Sequence, residues 1–284
     1  MQRNPHAGIG QRKRQLRALV RRLHQRGLRP RMFRRREQLQ KWMSSPENLA
    51  QLRCLVAAGG DGTVGDLITR YPGVPLAVFP MGTENLLAKF LKVPRSGEQL
   101  ADLIVDGETR RLDLAQVGER RFCLMASVGF DAEIVREVHA ARRGNIRRWQ
   151  YVGPIWRAWW RSMQMPRLRI FCDDEPQPIT GRSMFVINQP AYALRFQIAP
   201  TANGLDGLLD LRIYDWSSRW ELLWLAWNAW RGGWERLPQV TSRTARRLRV
   251  DSDRPVPLQI DGDPLGETPV EIATVPDALA VYAP

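Results

Sequence analysis

The sequence predicts an α/β lobe followed by a lobe of antiparallel β structure, and three observations support this fold class. Two short apolar runs, 54–58 and 75–79, each end in a glycine turn that leads into a helical pattern. The second half of the chain is instead rich in short runs of β-branched and aromatic residues. With 284 residues and 44% hydrophobic content, the chain can fill two cores of ordinary size. We predict a doubly wound lobe over residues 1–109, joined by a returning strand within 270–284, and a β-sandwich lobe over 110–269.

The N-terminal segment predicts a surface helix over residues 11–26. Its apolar side chains recur at helical spacing, with arginines elsewhere and Gly27 as a stop signal; they are Leu16, Leu19, Val20 and Leu23. Before this helix, the loop-like segment 4–8 begins after only three residues, where a strand would normally lead into it. We therefore leave open whether the N-terminus is truncated.

Strands and helices alternate in the rest of the first half. Residues 54–58 form a continuous apolar run closed by two glycines, which is typical of a strand buried on both faces of a parallel sheet. Residues 75–79 have the same character. Helices are predicted after the two runs, over 64–70 and 85–91. Because strand, glycine turn and helix occur twice in this order, we expect a doubly wound parallel sheet.

The second half predicts antiparallel strands interrupted by two tryptophan-rich segments. The predicted strands cover 121–127, 168–172, 183–188 and 209–214, followed by 270–273 and 278–282 on either side of a Pro276-Asp277 turn. The tryptophan-rich segments span 149–163 and 216–234. Their tryptophans recur at helical spacing, so each segment is predicted to present a broad aromatic face.

The charge balance is strongly basic. The chain has 43 basic and 29 acidic residues, a formal net charge of +14. Such a charge favours a polyanionic partner, for example an anionic membrane surface, a nucleotide or nucleic acid. A coding bias explains it equally well, because nearly all the basic residues are arginine. The charge is dispersed and no nucleic-acid-binding motif is present, so nucleic acid is not a predicted partner.

The cysteines and the hydropathy indicate a cytoplasmic protein. Cys54, Cys123 and Cys172 are odd in number and far apart, with no histidine at ligand spacing, which argues against disulfides and against a zinc site. No apolar stretch has the length of a signal peptide or of a membrane span. We expect a cytoplasmic protein, with peripheral contact at the inner membrane face left open.

The first glycine turn predicts a phosphate site. Gly59, Gly60, Asp61, Gly62 and Thr63 lie between a predicted buried strand and a predicted helix, where backbone N–H groups and the helix dipole favour an anion. The glycines allow close approach to a ligand, and the threonine hydroxyl adds a donor. A carboxylate beside phosphates needs a cation between them, so the aspartate indicates Mg²⁺. The alternative is a glycine-rich turn with a capping aspartate.

The second glycine turn repeats this arrangement one strand later. Gly82, Thr83, Glu84 and Asn85 follow the run 75–79. Adjacent strand tips of an open parallel sheet form a ligand crevice, so we expect the two turns to lie together. Helix capping by the threonine and a favourable interaction of the glutamate with the helix dipole are the alternatives.

Six short motifs in order resemble the lipid kinases of the diacylglycerol kinase catalytic-domain type, which share a fold with NAD kinases. The motifs are residues 4–8 (Asn-Pro-His-Ala-Gly), 59–63, 82–88, 129–132 (Gly-Phe-Asp-Ala), 206–210 (Asp-Gly-Leu-Leu-Asp) and 261–263 (Asp-Gly-Asp). The resemblance implies an ATP-dependent transfer of the γ-phosphoryl group to a lipid hydroxyl, in a cleft between a nucleotide-binding lobe and a lipid-substrate lobe.

The resemblance also implies roles for individual residues. It implies that Asn4, Gly60, Thr63, Thr83 and Asn85 hold the nucleotide, together with Gly59, Asp61, Gly62 and Gly82 of the same turns. Asp206 and Asp210 match a stretch that binds Mg²⁺, and Asp261 matches the general base. Phosphoryl transfer needs positioning, charge neutralisation and a carboxylate that accepts the hydroxyl proton, which suits Asp261. The alternative for all three aspartates is a turn residue, since Asp-Gly is a hairpin signal.

Two departures from the family pattern leave alternatives open. Leu86 stands where the family has an acidic residue, with Glu84 two positions earlier, and Asp263 replaces the usual glutamate. Diacylglycerol or a similar single-hydroxyl lipid is the expected acceptor, which implies a role in phospholipid metabolism. The alternatives are a sphingoid base, ceramide or NAD as acceptor, or a non-catalytic relative that binds nucleotide or lipid. Oligomeric state is left open, with a homo-oligomer among the alternatives.

The tryptophan-rich segments have two interpretations. Trp220, Trp224, Trp227, Trp230 and Trp234 share one helical face with Leu223, and Trp156, Trp159, Trp160 and Met163 form a similar cluster. Tryptophan favours the membrane interface, and nearby arginines suit anionic headgroups, which predicts a peripheral membrane contact. Core packing is the more common use of such a stripe.

Overall fold

In a computed structural model, the protein is described over residues 1–3, 11–141, 151–190 and 198–284. Its contacts divide the chain into two compact units, of which unit 1 comprises 1–112 with 277–284 and unit 2 comprises 113–276. The predicted fold class is confirmed: parallel strands alternate with helices in the first part, and antiparallel strands form the second. The assignment of nucleotide and lipid binding to separate lobes stays a prediction.

Unit 1 is built on a parallel sheet. Its elements are β1 (Gln2–Arg3), α1 (Gln11–Gln25), α2 (Arg36–Met43), α3 (Pro46–Ala50), β2 (Leu55–Gly59), α4 (Asp61–Arg70), β3 (Leu76–Pro80), α5 (Leu86–Phe90) and α6 (Gly97–Asp106). Strand β2 pairs in parallel with β1 and β3, and β3 pairs in parallel with the end of β15 (Val270–Tyr282) at Val281. All five residues of β2 are buried, as expected for a central strand.

Helix α1 packs against α6. Three of its four predicted core residues, Leu16, Leu19 and Leu23, are buried. Close packing is possible because residue 97 is glycine: a Cβ there would lie 2.0 Å from the Gln15 carbonyl oxygen. The arginines of this helix lie outside the core. Arg22, together with Arg26 just beyond the end of the helix, binds carboxylates of α6.

Unit 2 is a sandwich of antiparallel strands that also contains helices. Its elements are β4 (Thr109–Val117, which begins in unit 1), β5 (Arg120–Phe122), β6 (Met125–Val128), α7 (Phe130–Ala140), α8 (Val152–Arg161), β7 (Leu168–Cys172), β8 (Ile179–Gly181), β9 (Ser183–Ile187), β10 (Leu209–Tyr214), α9 (Arg219–Arg231), β11 (Val240–Ala245), β12 (Arg247–Ser252), β13 (Pro257–Ile260), β14 (Asp263–Glu267) and the start of β15. One sheet has the order β11-β10-β9-β6-β13-β14. In the other, β12 lies between β7 and β15. Alternate apolar residues of both sheets share one core.

Two predicted boundaries in unit 2 are wrong. The run 121–127 forms two strands, β5 and β6, rather than one. The predicted turn at Pro276-Asp277 lies inside one continuous strand, β15, although Asp277 has a positive φ of 51°. Turn chemistry is a local preference, and here strand pairing at residues 270–273 and again at Val281 keeps the chain extended.

The tryptophans divide into a buried set and an exposed set, so core packing accounts for only part of them, and the membrane contact stays a prediction. Trp159, Trp216 and Trp234 are buried in a core that also contains Leu222 and Leu225 of α9. Six others are exposed: Trp156, Trp160, Trp220, Trp224, Trp227 and Trp230. Trp149 lies outside the described residues. Among the described helices, none combines the length and the hydropathy that a membrane crossing requires.

Candidate active site

The Gly-Gly-Asp-Gly-Thr turn forms the first turn of α4. Gly60 is the N-cap residue, with an extended backbone, and Asp61 is the first helical residue. The helix therefore begins three residues before its predicted start at Val64, and the Thr63 N–H already donates to the Gly60 carbonyl oxygen at 2.9 Å. The first N–H groups of a helix have no partner within it and carry the positive end of the helix dipole. This turn is suited to bind an anion.

The two glycine turns touch each other through their backbones, as predicted. The N–H groups of Met81 and Gly82 both donate to the Gly59 carbonyl oxygen, at 2.8 and 3.2 Å. A Cβ on Gly82 would lie 2.5 Å from the Gly60 Cα, and a Cβ on Gly59 would lie 2.1 Å from the Thr63 Oγ1. The glycines are therefore required by contact. They bring the backbones that precede α4 and α5 side by side.

Asn85 and Arg12 shape the second turn. Asn85 has a left-handed backbone with a φ of 50°, which asparagine tolerates better than most residues. Its side-chain oxygen accepts from the Gly82 N–H at 2.8 Å, and its side-chain nitrogen donates to the Gly82 carbonyl at 2.7 Å. The Arg12 guanidinium of α1 donates to the carbonyl oxygens of Met81 and Gly82 at 2.8 and 2.5 Å. Nothing in the sequence singled out Arg12 among the arginines of its helix.

Asp61 caps the N-terminus of α5. Its carboxylate accepts hydrogen bonds from the backbone N–H groups of Leu86 and Leu87, the latter at 3.3 Å. Burial raises the pKa of Asp61, and these hydrogen bonds oppose the rise. The aspartate thus connects the first turn to the second. The predicted interaction of Asp61 with phosphates and Mg²⁺ stays a prediction.

The other predicted nucleotide-binding residues occupy the expected turns. Gly62 and Thr83 are exposed, whereas Thr63 is buried. Glu84 pairs with Lys89 at 3.1 Å, on a partly exposed surface. Glu84 therefore has its own ion-pair partner. It lies close in sequence to Leu86, the position at which the family has an acidic residue. Asn4 lies outside the described residues.

Asp261 occupies the tip of the β13–β14 hairpin. It and Gly262 have positive φ angles of 47° and 85°, as a two-residue type I′ turn requires. The turn interpretation is therefore correct for this residue. Its carboxylate also accepts hydrogen bonds from three consecutive backbone N–H groups, those of Cys123 (2.9 Å), Leu124 (2.9 Å) and Met125 (3.0 Å). These bonds fix the orientation of the carboxylate. Its role as a general base stays a prediction.

A buried polar network lies beneath this hairpin tip. The Gln259 side chain accepts from the Gly262 N–H at 2.8 Å and donates to the Ser127 hydroxyl at 2.9 Å. Asp131, near the N-terminus of α7, accepts from Ser127 at 2.7 Å and from Gln259 at 3.2 Å. Burial raises the pKa of Asp131. The Gly-Phe-Asp-Ala motif did not predict a role for Asp131, and the apolar strand around Gln259 gave no sign of a polar contact.

The predicted metal ligands have other partners. Asp206 accepts a hydrogen bond from the Leu208 N–H at 3.0 Å, as a turn residue does. Asp210 lies 3.3 Å from the buried guanidinium of Arg212, which also binds Glu235 at 2.6 Å. In the parts of the chain that the structure describes, no group of three or more acidic, histidine or cysteine side chains is arranged to hold a metal. A Mg²⁺ ion at these two aspartates would need further oxygen donors, and the assignment stays a prediction.

Comparison with known proteins assigns the family. Residues 125–283 match the model of the YegS C-terminal NAD kinase beta sandwich-like domain, and residues 3–117 match that of the diacylglycerol kinase catalytic domain. The chain belongs to the diacylglycerol kinase family. The matched regions contain both glycine turns and the Asp261 hairpin.

The sequence of this chain is modestly similar to those of its relatives. A diacylglycerol kinase of Mycobacterium tuberculosis is 28% identical over 239 residues, which cover 81% of this chain and 76% of the relative. A diacylglycerol kinase of Staphylococcus carnosus is 26% identical over 241 residues, with the same coverage. A protein of Synechocystis sp. is 26% identical over 238 residues, and there the match spans only 54% of the relative's length.

Solved structures share the fold. A crystal structure of a diacylglycerol kinase from Bacillus anthracis superposes with a TM-score of 0.70 at 16% identity, covering 100% of this chain and 95% of the other. A second structure from the same organism gives a TM-score of 0.75 at 18% identity, with coverage of 100% and 96%. At this identity the likeness concerns the fold.

Proposed function

We propose that this protein is an ATP-dependent lipid kinase that transfers the γ-phosphoryl group to the hydroxyl of diacylglycerol or a similar lipid. The observation that carries the proposal is the backbone contact between Gly60 and Gly82, which places the N-terminus of α4 beside the second glycine turn in a chain of the diacylglycerol kinase family. Backbone N–H groups at helix N-termini bind phosphate oxygens without side chains that would keep the ligand away. The two turns are therefore the proposed binding site for the ATP phosphates.

Asp261 is the proposed general base. Phosphoryl transfer requires a group that orients the acceptor hydroxyl and takes its proton. A carboxylate offers roughly four acceptor positions, and the three backbone N–H groups at Asp261 use three of them in fixed directions. The side chain is thereby held in one orientation, which a positioned base needs.

ATP and a divalent metal ion are what membership of a kinase family implies. Mg²⁺ would neutralise charge on the transferred phosphoryl group. The residues assigned to these groups are part of the proposal: the turns 59–63 and 82–85 for ATP, with Asn4, and Asp206 with Asp210 for a metal. A cytoplasmic location, a role in phospholipid metabolism and peripheral contact with an anionic membrane complete it.

The test is phosphorylation of a panel of lipids in mixed micelles with radiolabelled ATP and Mg²⁺. The panel contains diacylglycerol, ceramide and a sphingoid base, with NAD as a soluble acceptor. We expect label in diacylglycerol, and an Asp261→Asn variant that is slower by about 100-fold or more, the usual contribution of a general base. Label in none of the acceptors would contradict the kinase proposal, and label in another acceptor would replace diacylglycerol.

The structure provides a matched control for Asp261→Asn. Asp173 also has a positive φ, of 49°, and its carboxylate accepts backbone N–H groups, those of Arg246 and Arg247, both at 2.9 Å. Asparagine tolerates this backbone conformation, so replacing Asp261 or Asp173 by asparagine removes the charge that strengthens the hydrogen bonds. We expect Asp173→Asn to lower the melting temperature by a similar amount and to leave the rate unchanged. Equal rates for Asp261→Asn and Asp173→Asn would reject Asp261 as the base.

A further inference from the structure

We infer that the exposed tryptophan face of α8 and α9 is the surface by which unit 2 docks on an anionic lipid bilayer. The inference rests on the proposed function, because a lipid kinase must reach a substrate that resides in a membrane. It adds the residues that make the contact, the depth of insertion and the lipid charge that the surface selects.

The exposed apolar side chains are concentrated on these two helices. Nine of the twelve large hydrophobic residues that the described chain exposes lie on α8 or α9. Six of the nine are tryptophans, and Trp220 is the most exposed, at 73%. Scattered single apolar residues are normal on a protein surface, but a contiguous patch of large ones usually marks an interaction site.

The two helices form one continuous surface. The ring of Trp159 lies between those of Trp156 and Trp220, with centroid distances of 4.9 and 5.8 Å. The Trp159 ring nitrogen donates to the Arg219 carbonyl at 3.0 Å, and the Arg219 guanidinium covers the Trp160 ring at 4.8 Å. These contacts connect the end of α8 to the start of α9. The exposed rings of Trp156, Trp160 and Trp220 are therefore held in place before any partner binds.

Helix α9 is apolar on two faces. Leu222, Leu225 and Ala229 face the core of unit 2. Trp220, Trp224 and Trp227 are exposed and recur at helical spacing on another face, which residues 113–141, 151–190 and 198–276 of the unit do not cover. A helix with apolar residues on two faces is expected to have both faces covered, either by protein or by lipid. The described part of the unit covers one face of α9, and we infer an external apolar partner for the other face.

The charges on the two helices select an anionic membrane as that partner. Together α8 and α9 carry four arginines and one glutamate. Two of the arginines, Arg157 and Arg161, share Glu137 of α7 as an ion-pair partner, so the net charge of the surface remains positive. Arginines next to an interfacial helix attract anionic headgroups. A symmetric dimer through this face would bring two surfaces of the same positive sign together, which is unfavourable. Charge complementarity therefore favours a lipid surface over a second copy of the chain.

Tryptophan also indicates shallow insertion. Its ring is apolar and its N–H is polar, so it is enriched where the acyl chains meet the headgroups. Helices that lie in this zone bury their apolar face by roughly 5–10 Å. We place α9 in this zone, parallel to the bilayer plane.

The experiment is sedimentation with vesicles of phosphatidylcholine alone or with added phosphatidylglycerol. It compares the wild type with Trp224→Ala/Trp227→Ala/Trp230→Ala and with Leu49→Ala/Leu205→Ala, whose two leucines are exposed outside the patch. We expect the wild type to bind the anionic vesicles, the tryptophan variant to bind them at least about tenfold more weakly, and the leucine variant to bind like the wild type. Brominated lipids should quench wild-type fluorescence, with much less quenching in the tryptophan variant.

Kinase assays separate this inference from the proposed function. With a water-soluble short-chain diacylglycerol, the tryptophan variant should match the wild type, because docking is not needed. With vesicle-embedded diacylglycerol it should be slower. Equal vesicle binding by the two proteins would overturn the docking inference, as would an oligomer that the tryptophan substitutions dissociate. Vesicle binding without phosphorylation of either lipid would overturn the proposed function alone.

Discussion

Side chains bind backbone groups in both the paired glycine turns of unit 1 and the hairpin tip of unit 2, but only the glycine turns also depend on close contact between main chains. In unit 1, Gly60 and Gly82 lie so close that a Cβ on Gly82 would come within 2.5 Å of the neighbouring Cα. In unit 2, a Cβ on Gly262 would meet nothing within 4 Å. There the chain is fixed by side chains, since Asp261 and Gln259 bind backbone groups around the turn.

The difference has consequences for what each region tolerates. A site made by backbone contact is sensitive to any added atom, because the obstructing group is another main chain that cannot rotate away. A site made by buried polar side chains has room for small changes in volume. It is sensitive to protonation and to the loss of a hydrogen-bonding partner.

The largest effect is expected for Gly82→Ala. The new methyl group would separate the two turns, at a cost of about 1–3 kcal/mol typical of overpacking. We expect ATP binding, measured by calorimetry, to weaken by at least about tenfold, and the melting temperature to fall by several degrees.

The matched control is Gly65→Ala, within α4. A Cβ at Gly65 meets nothing within 4 Å, so alanine should raise the melting temperature slightly through its better helix propensity. If the Gly82→Ala and Gly65→Ala variants bound ATP with equal affinity, contact between the turns would not be what forms the site.

A smaller effect, with a distinct pH dependence, is expected for Asp131→Asn. Burial raises the pKa of Asp131, so the folded protein binds a proton more tightly than the unfolded chain does. Wild-type stability should therefore fall as the pH rises from about 4, the ordinary value for aspartate, through the raised pKa. Asparagine does not titrate, and its side-chain oxygen can accept from both Ser127 and Gln259.

Melting curves between pH 4 and 8 test this expectation. The Asp131→Asn variant should be more stable than the wild type at neutral pH, by a few degrees, and the advantage should disappear at the acidic end. A variant that is less stable at neutral pH would mean that the ionised carboxylate stabilises the network. The comparison of the two regions would then need revision, because charge would be supporting the hairpin tip.

The smallest effect is expected for Gly262→Ala. The positive φ of 85° strains alanine by about 1–2 kcal/mol, and no steric contact adds to this. Gly262→Asn should recover most of the loss, since asparagine tolerates the left-handed region. Chemical denaturation measures both. If Gly262→Ala lost as much stability as Gly82→Ala, the contrast between the two regions would disappear.

The sequence predicted the parts of the fold that depend on near neighbours. The apolar runs at 54–58 and 75–79 became β2 and β3, and the strands at 168–172 and 209–214 have the predicted bounds. Period and turn chemistry extend over a few residues, so they can be recognised without knowing the tertiary structure. The break predicted at Pro276-Asp277 was wrong for the same reason, because its pairing partners are distant in sequence.

The sequence predicted which segments form the candidate site but not the side-chain contacts that connect them. The glycine turns and the Asp261 hairpin follow from motif and spacing. Two contacts could not be predicted in this way: that of Asp61 with the N-terminus of α5, and that of Arg12 with the second turn. A charged side chain can find hydrogen-bonding partners in several directions, and the sequence does not say which. The partners of Asp131 were likewise hidden, since Gln259 lies more than a hundred residues away in the chain.

By itself, then, the sequence determined the order of strands and helices, the two turns that only glycine can form and the aspartate at the hairpin tip. The tertiary structure decided which tryptophans enter the core and which remain exposed, and which backbone groups each buried carboxylate binds. The physical reason is that a residue type fixes what a side chain can do, whereas burial and partners depend on groups brought together by packing over long distances in the chain.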